Sequence, residues 1–163
     1  MDLKQFLELF NPYPGNNYLH ITTEANEISD ALYKLMKSVD GILHLVIYSE
    51  KDEDLYKRFP DANIQQIKNF KQPFRALPRT NDIVIFQDVF HQHSNPKGIL
   101  KIAYTTLANA AEIVIMQKRG EMDIEMILNT LEEHEFRSQN YIDVLPEYDL
   151  VMAKKLHMWG NGL

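Results

Sequence analysis

The sequence predicts an α/β sandwich built around a mostly parallel sheet. The runs Ile42–Tyr48, Ile83–Phe86 and Ile113–Met116 are apolar on both faces, apart from His44, as strands covered on both sides must be. Stretches with apolar residues at a period near 3.6 stand between such runs. Strand and helix alternate about five times before a closing antiparallel pair, the order that right-handed crossovers generate.

The elements follow in order. Leu3, Phe6, Leu7 and Phe10 lie at helical spacing, and Asn11-Pro12-Tyr13-Pro14-Gly15 breaks that helix, so residues 1–15 form an opening helix and turn. The apolar stripe of this helix has three outcomes: docking on the sheet, lidding a pocket, or a dimer face, of which docking is the commonest. Tyr18–Thr22 is a short strand. Ile28, Leu32, Leu35, Met36 and Val39 put a helix over Glu24–Val39, with Thr22 or Thr23 as its N-cap. Asp40-Gly41 turns into the strand Ile42–Tyr48. A polar helix over Asp52–Phe59 ends at Pro60, a weak strand covers Asn63–Ile67, and Phe70–Thr80 is a loop holding two prolines. After the strand at Ile83, reaching toward Val89, Ser94-Asn95-Pro96 starts a helix that runs to Leu107 and buries Ile99, Leu100 and Ala103. Ile113–Met116 is the next strand. Asp123 caps a helix carrying Ile124, Ile127, Leu128 and Leu131. Residues 136–157 form a C-terminal hairpin, with strands at Tyr141–Leu145 and Tyr148–Leu156 on either side of Pro146-Glu147. The tail Gly160–Leu163 is expected to be mobile. No linker or repeat interrupts the 163 residues, which predicts a single domain.

Composition narrows the function classes. The chain is 45% apolar and 25% charged, ordinary for a soluble globular protein. No apolar run reaches the roughly 18–20 residues of a membrane span. The N-terminus lacks the basic flank and small-residue cleavage site of a signal peptide, so a cytoplasmic address is expected. With no cysteine there is no disulfide frame, thiol nucleophile or sulfur-bound zinc. Seventeen Lys and Arg against 23 Asp and Glu give a formal charge of −6, which repels phosphate backbones at long range. In this architecture ligands sit beyond the carboxyl ends of the strands, in the loops after Ile21, Tyr48, Ile67 and Phe86.

The stretch from Asn81-Asp82 through Ile83–Phe86 and Gln87-Asp88 to His91-Gln92-His93-Ser94-Asn95-Pro96 resembles the fourth strand and turn of class I S-adenosylmethionine-dependent methyltransferases. The similarity continues through Ile99-Leu100, Leu107 and Ile113–Met116, and Asp149–Lys155 looks like that family's last strand. The resemblance implies a three-layer, Rossmann-like fold with a seven-stranded sheet in the order 3-2-1-4-5-7-6, strand seven antiparallel. It implies S-adenosylmethionine as cofactor.

The sequence departs from that family where the cofactor binds. The family ends its first strand with an acid and a Gly-x-Gly-x-Gly turn, because the main chain approaches the cofactor and takes dihedrals that favour glycine. Here His20 stands in place of the acid, and the turn is Thr22-Thr23-Glu24-Ala25-Asn26. By position Thr22, Thr23, Glu24 and Asn26 would line the cofactor, Glu50 would meet the ribose and Asn69 the adenine amine. Ala108-Asn109-Ala110-Ala111 replaces the family's Lys-Pro-Gly-Gly turn.

Gln87 and Asp88 end the fourth strand, where the family orients its acceptor; the alternative is a polar cap on the following turn. His91 and His93 with Asp88 make at most a sparse ligand set, and no metal is expected. His20 and His44 on apolar strands fit satisfied interior or edge histidines, and His134 and His157 fit the surface. No Gly-x-Ser-x-Gly elbow and no phosphate-cradling Gly-x-x-x-x-Gly-Lys loop is present. Lys68, Lys71, Arg75 and Arg79 alternate with Phe70 and Phe74. That stretch is either a single-stranded RNA surface or a solvated loop anchored by two phenylalanines, and the net charge disfavours RNA. Two functions therefore compete. One is a divergent methyltransferase with Asp88 or Gln87 holding the acceptor. The other, favoured by the glycine-free turn, is a non-catalytic binding or assembly module that meets a protein partner or a second copy of itself.

Overall fold

The structure, a computed structural model, describes residues 1–156. The expectations for His157 and for the tail Gly160–Leu163 fall outside these residues.

Seven strands form one sheet: β1 (Asn17–Thr22), β2 (Ile42–Tyr48), β3 (Asn63–Ile67), β4 (Asn81–Gln87), β5 (Leu107–Lys118), β6 (Phe136–Tyr141) and β7 (Tyr148–Lys155). Their order is β3-β2-β1-β4-β5-β7-β6. All pairings from β3 to β5 are parallel, and β7 runs antiparallel to both β5 and β6. The apolar runs behave as strands buried on both faces. In β4, Val84 and Phe86 pack into one layer, while Ile83 and Ile85 pack into the other. In β5, Ile113 and Ile115 share the first layer, and Val114 and Met116 the second.

Helices α4 (Pro96–Thr106) and α5 (Ile124–Glu133) cover the first face through Ile99, Leu100, Ala103, Ile127 and Leu131. Helices α1 (Lys4–Leu7) and α2 (Glu27–Ser38) cover the second through Phe6, Ile28, Leu32 and Met36. Beside them α3 (Asp54–Arg58) packs Leu55 and the adjacent Phe59 onto Leu45 and Ile47 of β2. Each fully buried Ile, Leu, Met or Phe side chain among these contributes about 1.5–3 kcal/mol of transfer free energy. The opening stripe docks: Phe6 and Phe10 are buried and touch edge to face at 5.2 Å. The crossover from β3 to β4 carries no helix. Phe74 is buried beneath it, and Phe70 stacks on Tyr48 at 5.2 Å.

Three elements differ from the sequence expectation. The N-cap of α2 is Asn26, not Thr22 or Thr23. Its side chain accepts from the Ile28 amide at 2.9 Å, and its own amide donates to Ser29 Oγ at 3.1 Å, closing a capping box. Strand β5 begins at Leu107, directly after α4, and absorbs Ala108–Ala111; its pairing with β4 shifts register between Asn81 and Ile83. The strand before β7 is Phe136–Tyr141, and residues 142–147 form a long connection instead of a two-residue turn. Arg119 fixes that connection, donating to Pro146 O at 3.0 Å, to Asp143 at 2.8 Å and to Leu145 O.

Candidate functional site

The carboxyl ends of β1 and β4 meet the start of antiparallel β7, and there polar groups join in one chain. Parallel register sets His20 beside Ile85, two residues before Gln87, and places both side chains on one face. His20 is 0% exposed and Gln87 2%. His20 Nε2 lies 2.8 Å from Gln87 Oε1, and its Nδ1 lies 3.3 Å from Ser29 Oγ. Gln87 Nε2 donates to the Tyr148 hydroxyl at 2.8 Å, and that hydroxyl donates to Asp88 Oδ2 at 3.2 Å. The other Asp88 oxygen accepts from the Lys118 amide at 3.0 Å.

One assignment of protons satisfies this chain. Ser29 donates to Nδ1, so His20 carries its proton on Nε2 and donates to Gln87. Burial holds the imidazole neutral, pushing its pKa down to about 4, with the Gln87 bond partly opposing. Burial raises the Tyr148 phenol above its ordinary value; the bond from Gln87 offsets part of this, and the Asp88 charge adds to it. Asp88 adopts φ 58°, a left-handed conformation that aspartate tolerates better than most side chains. The turn directs its carboxylate back onto β5 and β7. Gln87 and Asp88 thus stand where the sequence placed them, and both are engaged by neighbours.

The β1–α2 turn is held by its own side chains. Asn26 Nδ2 donates to Glu24 O at 2.9 Å and to Gln87 Oε1 at 3.1 Å. Thr22 is buried, and its hydroxyl donates to the same Glu24 carbonyl at 3.4 Å. Thr23 is half-buried, and Glu24 is exposed. Asn26 therefore bridges from the α2 cap across to β4.

At the ends of β2 and β3, Tyr48, Phe70 and His93 form an aromatic cluster. His93 lies edge-on to Tyr48 at 5.6 Å and to Phe70 at 6.4 Å. Its Nδ1 accepts from the Asn95 amide at 2.9 Å, so its Nε2 donates to Gln72 O at 3.0 Å. The Tyr48 hydroxyl donates to the same carbonyl at 2.9 Å, and burial pushes its pKa up to about 12. Glu50 and Asn69 are both exposed on neighbouring loops. Asn69 uses its side chain to accept from the Lys71 amide at 2.9 Å.

The remaining candidates have local roles. His44 is bracketed by Asn17 Oδ1 at 3.1 Å and Asn63 Nδ2 at 3.3 Å. His134 is half-buried, not superficial, and closes α5 against Thr130 O at 2.9 Å. His91 is exposed, and among the described residues no group of three His, Cys, Asp or Glu converges. In the basic loop both phenylalanines face inward, as the anchored-loop alternative requires. Tyr148 and Ser29 escaped the sequence reading. Tyr148 belongs to the site only because β7 runs antiparallel beside β5, which no local pattern announces.

No protein-family model matches the chain, and no curated protein matches it. Solved structures do. A SAM-dependent methyltransferase from Aquifex aeolicus superposes with a TM-score of 0.76 at 19% identity, over 95% of this chain and 90% of that one. Phosphoethanolamine N-methyltransferase 2 of Haemonchus contortus, in complex with S-adenosyl-L-methionine, gives 0.73 at 10% identity, over 95% of this chain and 52% of that one. The CurJ carbon methyltransferase gives 0.70 at 11% identity, over 93% and 51%. The chain spans about half the length of the latter two. Likeness at this identity establishes architecture, and with the strand order it gives the chain a class I methyltransferase-like fold.

Proposed function

We propose that residues 1–163 form a single methyltransferase-like domain with a degenerate adenosyl site, working in the cytoplasm as a non-catalytic binding or assembly module for a protein partner or a second copy of itself. The observation that carries this reading is the Asn26 bridge. A turn that must present bare main chain to a nucleoside instead has a β-carbon at every position from Thr22 to Asn26, and its last side chain spans to Gln87 at 3.1 Å. Beyond the ends of β2 and β3 the aromatic cluster of Tyr48, Phe70 and His93 likewise closes on itself, with Tyr48 and His93 both donating to Gln72 O. On this reading Thr22, Thr23, Glu24, Asn26, Glu50 and Asn69 keep the cofactor's positions but not its contacts. These residues do not fit the adenosyl group, so no chemical step is derived through it.

The second reading, a divergent methyltransferase acting on a small molecule or a macromolecule, rests on Gln87 and Asp88. A carboxamide and a carboxylate end β4 where such folds orient an acceptor. There Asp88 would hold a donor group of the acceptor and Gln87 would fix its direction. Isothermal calorimetry with S-adenosylmethionine and S-adenosylhomocysteine at millimolar concentration separates the two. The first reading expects no heat of binding; micromolar affinity for either ligand overturns it and favours the second.

A further inference from the structure

We infer that the cavity at the amino ends of β1, β4 and β5, at the opposite end of the sheet from the adenosyl site, binds the ammonium group of a small primary amine with an apolar body. The cavity arises where β5 bulges. Asn81 pairs with Leu107 and Ile83 with Glu112, so residues 108–111 stand against Asp82 alone. Ala110 takes the left-handed region there, at φ 65°. The volume is about 260 Å³. At about 30 Å³ per water, that space matches roughly nine waters or an organic molecule of about ten non-hydrogen atoms.

Strand register supplies the polar lining. Parallel pairing sets Tyr18 beside Ile83 and Ile83 beside Glu112, with all three side chains on one face. Tyr18 is 2% exposed, and its ring meets Phe10 edge to face at 5.7 Å. Among the described residues, the buried side-chain atoms both unpartnered and sealed from solvent are Asn81 Oδ1 and Gln117 Nε2. The Tyr18 hydroxyl is unpartnered too but is not sealed, so it keeps surface on the cavity that the residue lines. Two carboxylates flank it. Burial, then the charges of Asp82 and Glu112, push the Tyr18 phenol up to about 12, so both charges act on the hydroxyl although neither is bonded to it. Asp82 Oδ2 accepts from the Asn17 amide at 2.9 Å. Its Oδ1 and both oxygens of half-buried Glu112 have no hydrogen-bond or ion-pair partner among the described residues. Lys154 faces Glu112 in register on β7, but it is exposed, makes no ion pair with it and does not line the cavity. Asn16 is already engaged, accepting from the Tyr13 amide at 2.9 Å. What remains is a set of acceptors: one phenol and two carboxylates. An ammonium group brings three donors and the positive charge that a neutral ligand lacks. Phe10, Tyr13 and Ile83 supply wall for an apolar body, and the rings favour a cation beside them. The proposal stands whether or not an adenosyl ligand binds, since the two sites share no residue.

The test is an amide-resolved NMR titration of the whole chain at pH 7 with phenethylamine and its neutral counterpart 2-phenylethanol at millimolar concentration. Phenethylamine should shift the amides of residues 16–18, 82–83 and 109–112 and bind about tenfold or more tighter than the alcohol. Glu112→Gln should lower the amine to the level of the alcohol. Tyr18→Phe, which deletes one unpartnered atom and keeps the ring, should weaken the amine about threefold or more. Glu53→Gln removes an equal charge at the other end of the sheet and should leave binding unchanged. No shift at these amides, equal binding of amine and alcohol, an unaltered Glu112→Gln protein, or an equal loss in Glu53→Gln overturns the proposal. Tighter binding of Nα-acetyl-lysine methylamide than of phenethylamine would overturn the free amine in favour of a protein's lysine side chain. A crystal soaked in phenethylamine whose cavity holds water alone, or the Lys154 ammonium, also overturns it.

Discussion

Gln87 and Tyr148 lie 61 positions apart in sequence, and the carboxamide of one donates to the hydroxyl of the other at 2.8 Å. That bond is the third of four links in a chain in which every proton points the same way. Ser29 donates to His20, His20 to Gln87, Gln87 to Tyr148 and Tyr148 to Asp88. Such a chain ties α2, β1, β4 and β7 together across the edge where ligands of this fold sit. A fully satisfied buried network rigidifies what it joins, and loss of one link leaves its neighbours without partners.

Tyr148→Phe removes the hydroxyl and keeps the ring. Gln87 Nε2 then loses its acceptor inside the protein. The expected loss is about 1–3 kcal/mol of stability, read from urea unfolding of both proteins. A midpoint equal to that of the parent would mean that the chain of bonds does not contribute.

Acid should unfold the protein partly through His20. Its folded pKa of about 4 lies below the ordinary 6.5, so the unfolded chain takes up the proton first. Stability is complete above pH 6.5, falls as pH drops toward 4, and loses nothing more from this group below that. The difference corresponds to about 3 kcal/mol. Urea midpoints measured across this window should decline in the parent, and His20→Gln should remove that share of the decline. An NMR titration showing His20 protonating near its ordinary pKa would contradict the buried, neutral ring.

These contacts show where the sequence was legible. Ile83–Phe86 and Ile113–Met116 declared themselves because strands covered on both faces need no alternation. The order of the sheet followed from the resemblance of residues 82–116. The N-cap of α2 was not legible: Thr22, Thr23 and Asn26 are all good caps, and only the turn geometry chooses Asn26. Nor was the polar chain, because His20, Gln87 and Tyr148 meet through strand register. The cavity at the start of β4 and β5 was equally hidden, since Ala108–Ala111 reads as a turn before a strand and not as a bulge within one.

Lys155 closes the end of α4, whose last turn has no basic residue of its own. Its ammonium donates to Tyr104 O at 2.7 Å and Leu107 O at 2.8 Å, and stands 4.6 Å from the centre of the Tyr104 ring. Lys155→Met keeps the stem and deletes the charge. It should cost about 1–3 kcal/mol and raise amide exchange at the C-terminal turn of α4 first. Exchange that rises uniformly across the protein would refute a local capping role.

RNA binding is expected to be absent at physiological salt. Phe74 is 1% exposed and Phe70 stacks on Tyr48, so the loop offers cations without a stacking platform. Gel shifts with a single-stranded RNA should show no complex, and Lys68→Glu with Lys71→Glu should change nothing. A salt-dependent shift that this pair of changes abolishes would make the loop an RNA surface.

The proposal that the Thr22–Asn26 turn excludes an adenosyl group can be tested by opening that turn. Asn26→Gly removes the bridge to Gln87, and because glycine is itself a tolerable N-cap, the capping loss is a few tenths of a kcal/mol. With Glu24→Gly as well, two positions of the Thr22–Asn26 turn become bare, as the fold's nucleoside site requires. Thermal shift with S-adenosylhomocysteine should then rise from nothing in the parent to a measurable stabilisation in the double variant, growing as the logarithm of ligand concentration. If crowding by side chains is the reason the parent does not bind, removing the crowding must help. A parent stabilised as strongly as the variant would show that the adenosyl group tolerates this turn, and the case for a catalytically silent module would fall with it.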